Sequence, residues 1–159
     1  MRPQRSHPES RKADSVGIEF VSHFPEWHHF FLKTKDADLS IRFYSEYLGM
    51  AAVLDQKDNE GCRWVWLRFT ENPTAPFLVL LEKGTQEKST TLLHSTPLLS
   101  FRLGELKLVD EISEKAKKEN YLVESARDGG QVRGYFCMVS DPDGNLLEFS
   151  CVLAPKPGT

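Results

Sequence analysis

No stretch of this chain is apolar for anything near the ~20 residues that a membrane-spanning helix requires, so nothing in the sequence reads as a bilayer span. The opening run MRPQRSHPESRKADS is polar and basic, with no apolar stretch behind it, which argues against a secretory signal. Cysteine is scarce. Cys62, Cys137 and Cys151 form no CxxC pair and cannot all pair within the chain. A disulfide scaffold is therefore not expected, and reduced thiols in a cytoplasm are. A surplus of positive charge is missing as well: 20 basic residues face 23 acidic ones, for a net charge of −3. The densest basic cluster, Lys115, Lys117 and Lys118, sits among glutamates on an expected helix and reads as a solvated face. Neither a nucleic acid nor a membrane surface is an expected partner.

What remains is globular. Hydrophobic residues make up 40% of the 159 positions, enough for the core of one ordinary domain. Residues 1–24, with Pro3 and Pro8 among many polar side chains, read as a flexible arm, and residues 154–159 as a tail.

Between these ends the chain repeats itself. HFFLKTKD, from His29 to Asp36, has period-2 alternation with Phe30, Leu32 and Thr34 on one face. A shift of 69 residues brings it onto LLSFRLGE, from Leu98 to Glu105, with Leu99, Phe101 and Leu103 on the matching face. Each strand leads into a helical pattern. The first covers about residues 37–48, with Leu39, Phe43, Tyr47 and Leu48 at helical spacing and Gly49 as a stop. The second covers about residues 106–120, with Leu108, Val109, Ile112 and Ala116 facing inward. The same shift lays Trp66-Leu67 on Tyr135-Phe136 and FLVLL (77–81) on LLEFS (146–150). Each half thus reads as strand, helix and about three strands. This predicts an α+β domain of two βαβββ modules, at 25–84 and 95–153, whose curved mixed sheets surround a central cleft.

The segment HHFFLKTKDADLSIRFYSEYLGM resembles the opening module of the vicinal oxygen chelate superfamily, which includes glyoxalases, extradiol dioxygenases and bleomycin-resistance proteins. The resemblance rests on His29, Asp36, Phe43-Tyr44 and Leu48-Gly49, and on the closing SDPDGNLLEF (140–149). It covers about residues 27–152. The DPDGN stretch is also a plain turn sequence, since Pro142 presets its own φ and Gly144 or Asn145 accepts a positive one.

The resemblance implies one divalent metal (Zn, Ni, Fe or Mn) held from four equivalent strand positions, polarising the substrate's oxygens. His29 and Glu148 match two of these positions, as metal ligands and as candidate catalytic groups. The 69-residue shift assigns the other two to Leu98 and Val79, which cannot bind metal. His28 is expected on the opposite face of its strand. Without metal, Glu148 facing inward needs a partner, for which His29 and Arg102 are the candidates. Alternation adds Phe31, Lys33, Trp66, Ser100 and Arg102 to the cleft, with Lys33 and Arg102 placed to meet an acidic group. Trp64, Trp66 and Arg68 alternate along RWVWLRF and offer either a stacking surface or a core face. Three readings stay open: a metal-dependent lyase, isomerase or dioxygenase; a metal-free small-molecule binding protein; and a scaffold. By resemblance a homodimer is expected.

Overall fold

A computed structural model describes residues 28–83 and 97–151. The expected arm (1–24) and tail (154–159) lie outside the described residues.

The first module runs β1 (His29–Thr34), α1 (Ala37–Leu48), β2 (Met50–Lys57), β3 (Arg63–Phe69) and β4 (Phe77–Glu82). The second runs β5 (Leu98–Arg102), α2 (Leu106–Lys118), β6 (Leu122–Asp128), a short α3 (Gly130–Arg133), β7 (Tyr135–Ser140) and β8 (Leu146–Cys151). Each module forms one four-stranded mixed sheet, in the orders β1-β4-β3-β2 and β5-β8-β7-β6. In both, the first and last strands pair in parallel and the other pairs are antiparallel. This is the α+β architecture of two βαβββ modules that the repeat predicts.

Local chemistry explains the helix ends. Asp36 caps α1, its carboxylate accepting from the Leu39 amide at 2.9 Å. Gly49 stops the helix in the left-handed conformation, with φ of 62°. Glu105, the equivalent of Asp36, makes no side-chain cap; its longer side chain suits that geometry poorly. The α2 helix ends at Lys118, two residues short of the expected bound, where Asn120 turns to a positive φ.

The helices cover one face of the sheets. Leu32, Phe43, Tyr44, Val65, Leu67, Leu78 and Leu80 from the first module share a core with Val109, Ala116, Cys137, Val139, Leu147 and Phe149 from the second. Leu108 does not join them: it is 39% exposed, because Val109, Ser113 and Ala116 hold the inward stripe of α2. The two motifs behind the resemblance meet here. The Tyr44 hydroxyl on α1 donates to the buried carboxylate of Asp141 at 2.7 Å. Asp141 also accepts from the Asp143 and Asn145 amides and from the Asn145 side chain, which fixes the turn between β7 and β8. Asp143 in turn accepts from the Lys35 amide and the Ser40 hydroxyl. The modules are thus joined on their helix side.

The strand registers correct one part of the repeat. His29 pairs with Phe77 and Leu98 with Leu146, so the 69-residue shift holds for the first and last strands. Trp66, however, pairs with Val79, and Met138 with Glu148. The third strands are therefore 72 residues apart (66 to 138), and Trp66 matches Met138, not Tyr135. The physical cause is the different run-in, a hairpin turn in the first module and the α3 turn in the second.

Candidate functional site

The sheet faces turned away from the helices carry two unlike walls. On the first module the wall is aromatic. Trp66 and Phe77 lie 5.4 Å apart between ring centroids, His29 packs on Phe31 at 4.4 Å, and Phe31 meets Trp64 at 5.8 Å. His28 and His29 complete the cluster against Trp66, at 5.6 and 5.4 Å. The two histidines share a hydrogen bond between their Nδ1 atoms, 2.7 Å apart, one donating to the other. The expectation that His28 faces the other way is corrected. His28 precedes the first residue of β1, so strand alternation does not govern it. Val79, fully buried, pairs with Phe31 on one side and Trp66 on the other and forms an apolar floor. Lys33 is exposed on the same strand.

On the second module the wall is charged. Glu148 lies in a row with Ser100 and Met138. Its Oε1 accepts from the Ser100 hydroxyl at 3.1 Å. Its Oε2 accepts from both Nε (3.0 Å) and Nη2 of Arg133. The Arg133 guanidinium lies 3.6 Å from the ring centroid of the buried Phe136, and Nη2 also points at the Met138 sulfur at 3.6 Å. So the partner of Glu148 is neither His29 nor Arg102. Arg133 went unnoticed in the sequence, although three glycines in GGQVRG mark an unusual turn around it. Gly129 shows why: a Cβ there would stand 2.7 Å from Phe136 Cε1 and 2.9 Å from Arg133 Cβ. Only a bare backbone lets the two approach this closely.

An apolar cavity of about 300 Å³ lies where the two modules meet, lined by Phe30, Met50, Phe69 and Leu78 of the first and by Leu98 and Phe101 of the second among others. Phe77 links it to the aromatic wall and Ser100 to Glu148. Among the described residues, no hydrogen bond, ion pair or ring contact joins His29 to Glu148. The structure therefore gathers the expected residues into two groups, His29, Phe31, Trp66 and Val79 on one wall and Ser100 and Glu148 on the other. Leu98 lines the cavity and is 54% exposed. Arg102 is exposed beside the second group.

The residues do not fit a divalent ion. Catalytic sites of that kind use three or more protein donors. Here Val79 and Leu98 offer none, and Glu148 holds a guanidinium that would repel a cation. Among the described residues, no three of His, Cys, Asp and Glu converge.

This is the glyoxalase-like class of α+β fold, with its site residues carried mainly by the first, third and last strands of the two modules. Residues 27–149 match the family model of the Glyoxalase/Bleomycin resistance protein/Dioxygenase superfamily, and the chain belongs to that family. An uncharacterized protein of Pseudomonas aeruginosa, PA2024, is 28% identical over 135 residues, which is 85% of this chain and 94% of that protein. The trypanothione-dependent glyoxalase I of Leishmania major has a similar structure, with 20% identity, a TM-score of 0.64, and coverage of 80% of this chain and 87% of that one. So does TnmS3, an antibiotic binding protein from Streptomyces sp. CB03234, with 21% identity, a TM-score of 0.62, and coverage of 82% and 98%. At these identities the two structures share the fold.

Proposed function

We propose that the protein binds a small molecule with an aromatic part in its cleft and does so without a metal. The observation that carries this reading is the state of Glu148. Its carboxylate is engaged by Arg133 and Ser100, and two of the four positions for metal ligands are apolar. The rings of Phe31, Trp64 and Trp66 supply a stacking surface worth about 0.5–1.5 kcal/mol per aromatic pair beyond simple burial. The antibiotic-binding relative of the same fold is in keeping with this use of the cleft. The protein acts as a homodimer in this reading, with Phe31 and Leu98, 53% and 54% exposed, near the shared surface. Its setting is a reducing cytoplasm, in keeping with three unpaired cysteines.

Metal analysis and ligand titration test the reading together. The protein purified without chelators is expected to carry no stoichiometric Zn, Ni, Fe or Mn. Planar aromatic probes are expected to quench its tryptophan fluorescence, less so in a Trp66→Leu variant. One equivalent of metal, lost in His29→Ala, would instead favour a metal-dependent lyase, isomerase or dioxygenase with His29 and Glu148 as ligands. Sedimentation analysis giving a monomer at all concentrations would remove the dimer.

A further inference from the structure

The charged wall holds more positive groups than its carboxylates neutralise. Arg102, Ser150 and Phe136 form one row across β5, β8 and β7. Ser100, Glu148 and Met138 form the next. Arg127 on β6 pairs with Phe136 and holds its guanidinium 4.8 Å from that ring, next to Arg133. This face therefore carries Arg102, Arg127 and Arg133 against Glu124 and Glu148. Arg127 is matched by Glu124 and Arg133 by Glu148. Arg102 makes no ion pair among the described residues.

The hydrogen bonds of Arg133 show what it has left to offer. A guanidinium has five N–H donors. Nε and one Nη2 hydrogen go to Glu148, and the other Nη2 hydrogen meets only the Met138 sulfur, a weak acceptor. Nη1 has no partner among the described residues, and the side chain is 36% exposed. The outer edge of the fork, Nη1 with Nη2, is thus presented in a fixed plane by Phe136 behind it and Glu148 beside it. Such an edge matches two oxygens of one oxyanion. Two strand spacings separate the Arg102 and Phe136 backbones, about 10 Å. Two arginine side chains span that gap, so one group between them can touch both.

We propose that Arg133 and Arg102 form an oxyanion site on the second module's wall, which takes the carboxylate or phosphate group of the aromatic ligand. Glu148 is then a positioning residue: it orients Arg133 and does not touch the ligand. The inference rests on the small-molecule reading above and adds the charge of the ligand to it. The oxyanion sits over the row of Ser150, between Arg102 and Phe136.

Three probes of one shape test it: 1-naphthoate, 1-naphthyl phosphate and the neutral 1-naphthamide, each titrated calorimetrically into the full chain. At least one anionic probe is expected to bind about tenfold more tightly than the amide, since hydrogen bonds to charged groups exceed neutral ones by about that factor. Which anion wins identifies the group. The preference is expected to shrink as salt is raised, and to fall toward one in Arg133→Gln. Arg102→Gln, a change at an exposed position, is expected to cut it severalfold, and this keeps the test valid where Arg133→Gln folds poorly. Naphthamide binding as tightly as both anions, or both variants keeping the preference, overturns the oxyanion site and leaves the small-molecule reading in place. No binding of any probe overturns both.

Discussion

Replacing Tyr44 by Phe deletes one oxygen at the joint between the modules. Tyr44 is fully buried, and among the described residues its hydroxyl has one partner, the carboxylate of Asp141, which is itself only 3% exposed. A hydrogen bond to a charged group contributes about 1.5–3 kcal/mol. Three other donors remain on Asp141, so the carboxylate is not stranded. The phenol no longer has to be desolvated, which offsets part of the loss. A cost near the lower end follows, about 2 kcal/mol, or roughly 4–8 °C in Tm for a domain of this size. The same group sets a pH effect. Burial first, and Asp141 second, push the Tyr44 phenol well above its ordinary 10.0. The stability tied to its protonated form is complete below pH 10 and is lost as the pH rises beyond it, because the unfolded chain then releases the proton more readily. Urea unfolding of both proteins between pH 7 and alkaline pH is the assay. The Phe variant should start less stable and fall off less steeply at high pH. Tyr47, also pushed up by burial and by Glu119, keeps some slope. Equal midpoints at neutral pH together with parallel alkaline limbs would refute the assigned role of this contact.

Gly129→Ala forces a methyl group into Phe136 and Arg133. It should cost about 1–3 kcal/mol in urea unfolding and weaken the preference for anionic probes even where the fold survives. Burial pushes the Cys137 thiol up to about 12, so at mild alkaline pH a thiol reagent should label Cys62 well before Cys137. Peptide mapping that finds Cys137 labelled first in the native protein would contradict this. Arg63 bridges Asp38 and Asp55, and its hydrogen bond holds the Asp55 carboxyl below its ordinary range. In Arg63→Gln an NMR titration should show the Asp55 pKa rising. The stability change should stay below about 1 kcal/mol, because the pair is solvent-screened.

The fold was legible because its first and last strands repeat strictly. His29 and Leu98 begin equivalent strands, and Phe77 and Leu146 end up beside them, all at one spacing. The alternation along these strands also placed Phe31, Val79, Ser100 and Glu148 on the cleft face. Four features were hidden. The third strands differ by three residues because the turns before them differ in length, and a constant shift cannot register that. His28 escapes alternation by lying just outside its strand. Arg133 reaches Glu148 from a short helix 15 residues earlier in the chain, and nothing in residue type announces the contact. The tie from Tyr44 to Asp141 spans 97 residues and was equally silent, although both ends lie in the motifs that carried the resemblance.

The parallel pairing of first and last strands also orders the events of folding. In each module the opening strand waits 48 residues for its neighbour, from His29 to Phe77 and from Leu98 to Leu146. Closing a loop of that length costs chain entropy before any ladder bond repays it, and such contacts slow folding. On the ribosome the first module can close once Glu82 has emerged, while β5 stays without a strand partner until β8 follows. The joint at Asp141 belongs to that second closure. The aromatic wall is therefore carried by strands that can pair early, and the arginine wall by strands that complete late. In pulse-labelled hydrogen exchange during refolding, the β5 amides that bond to β8 should gain protection together with Asp141 and Asn145.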